Sequence, residues 1–112
     1  MKLITAYIKP YLLDRTREEL LNVGATGITI TEVKGFGRQL GHTELYRGAE
    51  YAVDFLPKIK VEVICCDEQK KDFVNAIISV NQTDKIGAGK ITITHLEEVI
   101  RIRTGEVNQE AI

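Results

Sequence analysis

Pro57-Lys58-Ile59-Lys60-Val61-Glu62-Val63-Ile64-Cys65-Cys66 is the stretch on which the fold turns. Ile59, Val61, Val63 and Cys65 share one side, and Lys58, Lys60, Glu62, Ile64 and Cys66 the other, which is the period of two of a strand with one buried face. Asp67 then stands as a helix cap. Phe73, Ile77 and Val80 recur at helical spacing, supported by Val74 and Ile78, until the pattern fades into Asn81-Gln82-Thr83-Asp84. The turn Gly87-Ala88-Gly89 leads into a strand from Lys90 to Leu96, and Val99 to Arg103 reads as a further short strand.

On the N-terminal side the same alternation spans Lys2 to Lys9, with Ile4, Ala6 and Ile8 opposite Leu3, Thr5 and Tyr7, and Pro10 ends it. Asp14 is placed to cap a helix whose Leu13, Leu20, Leu21 and Val23 form its apolar side, with Gly24 as C-cap. The β-branched run from Ile28 to Val33 predicts the second strand, stopped at Gly35. The order βαββαβ with an extra short strand predicts an α+β, ferredoxin-like sandwich: one domain over residues 1–112, with both helices on one sheet face. Leu3, Tyr7, Ile64 and Leu96 are left on the other face, and self-association is the simplest cover for them.

Composition narrows the function classes. The chain has 112 residues, is 44% hydrophobic, and carries 15 Lys plus Arg against 16 Asp plus Glu, for a net charge of -1. That supplies one packed core and no bulk positive field for nucleic acid or an anionic membrane, so any anion site must be local. No apolar run approaches a membrane span and the start breaks into polar residues too soon for a secretory signal, so a soluble, cytoplasmic protein is expected. Cys65 and Cys66 are the two cysteines, adjacent and without zinc or disulfide spacing, and one of them is expected in the core. His42 and His95 likewise lack metal-ligand partners at helical or hairpin spacing.

Between the second and third strands, Gly35 to Leu56 is long for a connection in a compact domain, and it holds Arg38, Gln39, Glu44, Tyr46, Arg47, Glu50 and Tyr51. Exposed residues of these types make protein contacts, so the segment reads as a functional loop, centred on about residues 37–55. At the other end of the chain, Gly87-Ala88-Gly89-Lys90 is a turn in which glycines let backbone N–H groups approach an anion. It is not a P-loop, because Asp84 and Ile91 stand where that pattern needs Gly and Ser or Thr. Lys90, Arg101, Arg103, Lys58 and Arg38 would suit a polyphosphate if they converged on one cleft, and scattered surface charge is the other reading of the same residues.

Thr31 to Gln39, Gly41 to Tyr51, Val53 to Lys58 and Ile100 to Glu106 closely resemble the PII nitrogen-regulatory signal proteins, and the resemblance runs through the whole chain. It implies a homotrimer of ferredoxin-like subunits with nucleotide in the clefts between them and the long loop as the partner-binding T-loop. On the family's pattern ATP or ADP falls on Gly35, Gly37, Arg38, Gln39, Gly87, Gly89 and Lys90, with Arg101 and Arg103 from a neighbouring subunit. Gln39 would hold Mg2+ together with the ATP phosphates and 2-oxoglutarate, and Lys58 would pair with a 2-oxoglutarate carboxylate. Tyr51 matches the uridylylated tyrosine, Arg47 the residue that plugs an ammonium channel, and Tyr46 lies beside it as a further partner contact. An ammonium transporter, a uridylyltransferase and nitrogen-regulatory enzymes are the implied partners. Asp84 and Ala88 depart from the family's usual Gly and Asp, Leu40 from its frequent Lys, and Ala49 removes the serine phosphorylated in some relatives. A non-enzymatic sensor is therefore expected. The alternatives are a small ATP-using transferase or ATPase, or a trimeric structural or metal-handling protein, against which the lack of a positioned base and of a His/Cys cluster counts.

Overall fold

The computed structural model describes residues 1–36, 43–46, 49–52, 55–85 and 87–112, with 43–46 and 49–52 given by their backbone course. Strand β1 (Lys2–Ile8) leads through a 3-10 turn at Pro10–Leu12 into helix α1 (Leu13–Asn22) and strand β2 (Thr29–Gly35). Strands β3 (Thr43–Tyr46) and β4 (Ala49–Ala52) precede the long β5 (Leu56–Cys65). A 3-10 turn at Asp67–Gln69, helix α2 (Lys70–Asn81), strand β6 (Ile91–His95) and a 3-10 turn at Asn108–Ala111 complete the chain.

The main sheet has the order β2-β5-β1-β6, with every neighbouring pair antiparallel. That is the expected ferredoxin-like order, and its register fixes which residues share a face. Ile4 lies opposite Val63, Ala6 opposite Val61 and Ile8 opposite Ile59. These six are buried together with Cys65, Leu20, Phe73, Ala76 and Ile77, so both helices cover this one face. Burying each large side chain of that set contributes about 1.5–3 kcal/mol. Leu3, Tyr7 and Ile64 lie on the opposite face, where Tyr7 and Ile64 stay 38% and 39% exposed, as the alternation requires.

Both helix starts differ from the sequence expectation. Asp14 does not cap α1: the chain already turns at Pro10–Leu12, so Asp14 lies in the first helical turn and pairs with Arg17 at 3.7 Å. Asp67 is likewise inside the 3-10 turn before α2, where Gln69 Oε1 accepts from the Cys66 N–H at 3.0 Å. Asp67 accepts instead from the Met1 ammonium at 2.8 Å, which holds its carboxyl below the usual carboxylate range. On α1, Thr16 and Leu20 face the core, while Leu21 and Val23 are exposed, because Leu21 is turned about 100° from Leu20. Gly24 does terminate α1. Its φ of +104° allows the Ala25 N–H to reach the Leu20 carbonyl and its own N–H the Leu21 carbonyl, a Schellman end.

Two further expectations are corrected. Within the Gly35 to Leu56 segment, where the sequence reading assigned no strand, β3 and β4 pair antiparallel with Thr43 opposite Ala52 and Tyr46 opposite Ala49. Four-residue strands are too short to show a period. At its root the rings of Phe36 and Phe55 meet with centroids 5.9 Å apart. Val99 to Arg103 is not a strand. Only an isolated bridge joins Ile100 to Val107, and the chain reverses over Arg101–Glu106 around Gly105, whose φ is +74°.

Candidate functional site

The Gly87–Lys90 turn owes its shape to its two glycines. Gly87 and Gly89 have φ of +94° and +103°, a region costly for any residue with a Cβ. At Gly89 the requirement is also steric, because a Cβ there would sit 1.7 Å from the Tyr7 carbonyl oxygen. The contact is held by the Tyr7 N–H, which donates to the Lys90 carbonyl at 3.0 Å and sews the end of the turn to β1. The main chain of the turn is thus drawn tight against β1 while Lys90 stays exposed.

Lys58, half-buried on β5, donates from Nζ to the Gly87 carbonyl. Burial, and secondarily the charge of Lys9, lower its pKa below the ordinary lysine value. The structure therefore joins Lys58 to the turn and adds Lys9, a cation missed by the sequence reading because it sits at a strand end beside Pro10 and belongs to no motif. Gly35 lies at the same place, since a Cβ on it would touch Lys58 Cγ at 3.4 Å. An ammonium that is partly desolvated, hydrogen-bonded to one carbonyl and next to a like charge is suited to an anionic ligand, having two donors left to give.

Arg38 lies outside the described residues, and the other four cations are spread over three places in the chain. Lys90 precedes β6, at the end where Ile91 lies opposite Ala6, whereas Arg101 and Arg103 follow its other end, where His95 lies opposite Lys2. The five residues of β6 thus lie between Lys90 and the stretch that carries the two arginines. Arg101 does not share a strand face with Arg103; it pairs with Glu106 at 3.2 Å across the reversal, and Arg103 is exposed. Gly37, Arg38, Gln39 and Arg47 lie outside the described residues, as does His42. Tyr46 and Tyr51 lie on β3 and β4, which places their backbone but not their side chains.

The remaining candidates resolve as structural residues. His95 ends β6 with Nδ1 2.9 Å from Lys2 Nζ, and Cys65 is a core residue whose thiol is pushed up by burial. Among the described residues no three His, Cys, Asp or Glu side chains are grouped to hold a metal ion. No helix among them is long and apolar enough to cross a membrane.

An antiparallel four-stranded sheet backed by two helices, with a glycine turn entering its last strand and a strand-bearing connection between β2 and β5, defines a small α+β domain. Residues 1–106 match the family model described as nitrogen regulatory protein P-II. The nitrogen regulatory protein P-II of Pasteurella multocida is 62% identical over 112 residues, covering all of both chains. Its counterpart from Haemophilus influenzae is also 62% identical, and nitrogen regulatory protein P-II 1 of Escherichia coli K12 is 60% identical, each over the full length of both chains. The chain belongs to the P-II family of nitrogen regulatory proteins.

Proposed function

We propose that this protein is a non-enzymatic nitrogen, carbon and energy sensor: a homotrimer that binds ATP or ADP and, with Mg-ATP, 2-oxoglutarate, and regulates target proteins through its long loop. The observation that carries the reading is the position of the cations. A glycine turn with Lys90 and Lys58 stands where the chain enters β6, and Arg101 and Arg103 follow the other end of that strand in the chain, on the reversal that Arg101 closes with Glu106. A polyphosphate needs both groups, and a neighbouring subunit packed on the open sheet face is what brings them together. That face keeps Tyr7 and Ile64 exposed, and the reversal beside it presents Ile100 and Ile102, the latter fully exposed.

The turn supplies main-chain N–H groups and the Lys90 charge to the phosphates, with Arg101 and Arg103 of the next subunit closing on them. Lys58 receives one carboxylate of 2-oxoglutarate. Without an acidic cluster among the described residues, Mg2+ is held by phosphate and effector oxygens with Gln39, in keeping with a small cation that retains oxygen ligands and water. Gln39 follows β2 by four residues in the chain and Lys58 lies at the start of β5, so ligand held by the two would bias the loop between them that meets the partner. A ligand moves that equilibrium only by its differential affinity, and a full reversal from 1:99 to 99:1 takes about 5.5 kcal/mol. Arg47, Tyr46 and Tyr51 form the outer contact set for an ammonium transporter and nitrogen-regulatory enzymes, and uridylylation of Tyr51 would block it with a bulky anion.

Calorimetric titration with ATP, alone and with Mg2+ and 2-oxoglutarate, tests this directly. Retention of ATP without turnover, and 2-oxoglutarate binding that appears only with Mg-ATP, is the expected result. Equal 2-oxoglutarate affinity with and without nucleotide refutes the shared site.

A further inference from the structure

Asn81 is the last residue of α2 and is 7% exposed. Its Nδ2 donates to Thr16 Oγ1 of α1 and to the Ile77 carbonyl, each at 2.9 Å. Thr16 is fully buried, and its hydroxyl proton is committed to the Leu12 carbonyl at 2.8 Å, so Thr16 can only accept from Asn81. The amide orientation is therefore fixed, and its other atom, Oδ1, is buried without a partner among the described residues. An orphan acceptor of this kind is destabilising, a cost that an apolar side chain of the same shape would avoid. The bonds to Thr16 and Ile77 use only the donor end of the amide and leave its acceptor unaccounted for.

The neighbouring segment supplies a reason for it. Gln82 leaves the helix in extended conformation, and Asn81, Gln82 and Thr83 line the same crevice of about 370 Å³ as Ala88, Gly89 and Lys90. We propose that Asn81 is a positioning residue for the anion-binding turn. Through Thr16 it anchors the start of the 82–90 segment to α1, and its Oδ1 accepts a main-chain N–H of that segment when the turn closes on a phosphate. Thr83 stands two residues on, the spacing at which an Asn side chain reaches a following N–H. Thr16 thereby acts on nucleotide affinity from the far helix without touching ligand. The inference rests on the nucleotide reading of the Gly87–Lys90 turn.

The test uses full-length Thr16→Val and Asn81→Leu, both near-isosteric, at a temperature where circular dichroism shows them folded. ATP affinity should fall about tenfold in each, the scale of losing a support behind a binding group. Hydrogen exchange in the presence of ATP should quicken over residues 82–90 and stay unchanged in β1 and β5, and Thr16→Ser, which keeps the acceptor, should restore both. If Asn81→Leu does not fold, Asn81→Asp keeps the shape and Oδ1 while losing the donor to Thr16, and the same two readouts apply. Folded variants with wild-type ATP affinity and unchanged exchange over 82–90 overturn the inference alone. Wild-type protein that binds no ATP overturns the nucleotide reading and this inference with it.

Discussion

The Nζ of Lys58 donates to the carbonyl oxygen of Gly87, tying the middle of the sheet to the turn that enters its edge strand. The other two ammonium donors, beside the root of the long loop, have no partner among the described residues. Lys58 also carries a lowered pKa, from burial first and from Lys9 second.

That lowering has a sign. Below its folded pKa, Lys58 is charged and bears the full burial penalty; as pH rises through that value toward the ordinary 10.5, the unfolded chain holds the proton more tightly and stability increases. A carboxylate ligand works in the opposite sense, since it needs the charged form. The affinity for 2-oxoglutarate with Mg-ATP should be flat at neutral pH and fall at an alkaline pH below 10.5, with proton uptake on binding. Lys58→Arg should abolish the alkaline fall, and Lys58→Met should remove effector binding while sparing ATP. A pH profile identical in wild type and Lys58→Arg would sink the assignment.

Gly89→Ala should dislodge the turn, because a Cβ 1.7 Å from the Tyr7 carbonyl oxygen forces main chain against main chain at positive φ. Loss of ATP binding is expected, with a lowered melting temperature. Gly24→Ala meets no neighbour within 4 Å and has only its φ against it, so it should cost about 1 kcal/mol and leave ATP binding intact.

Lys90→Ala and Arg101→Ala should each weaken ATP by about 1.5–3 kcal/mol, the scale of a hydrogen bond to a charged group. Their places on either side of β6 in the chain add a sharper expectation. Co-refolded mixtures of the two variants contain clefts in which the intact Lys90 of one subunit faces the intact Arg101 of the next, so tight ATP sites should reappear. Mixtures no better than either parent, or monomers in sedimentation, contradict a shared cleft.

Deleting residues Gly41 to Ala52 removes β3 and β4 together and touches neither the main sheet nor the 87–90 turn. The shortened protein should stay trimeric and bind ATP while no longer retaining partner proteins in a ligand-dependent pull-down. Continued ligand-dependent capture of the same partners would place the output surface elsewhere.

Phe73→Ala should cost about 3–5 kcal/mol in urea denaturation, since Phe73 is 1% exposed in the single core beneath α2. Ile78→Ala, one residue beyond Ile77 and 40% exposed, should cost far less.

The main sheet and both helices were legible in the sequence because each is one-sided. The alternation from Ile59 to Cys65 and from Ile4 to Ile8 has one buried face, and a strand slipped by one residue would put every one of those side chains into water. The need for glycine at a tight turn before β6 was equally local. The likeness to the P-II proteins rode on long uninterrupted runs and needed no geometry at all. Features that depend on where two distant segments meet were not legible. Asp67 reads as a cap, but the Met1 ammonium reaches it first; Asn81 reads as a polar helix tail, but Thr16 of the other helix draws it inside. Val99 to Arg103 has the residue types of a strand and still reverses at Gly105, since no neighbouring strand among the described residues is placed to pair with its length. The sequence by itself determined the order of the elements and the kinds of side chain available for an anion, since these follow from periodicity and residue type. Only the tertiary structure decided that Lys58 of β5 meets the glycine turn at Gly87 and that Arg101 turns back to pair with Glu106, because antiparallel strand direction and chain reversal, which no local pattern encodes, set which segments come together.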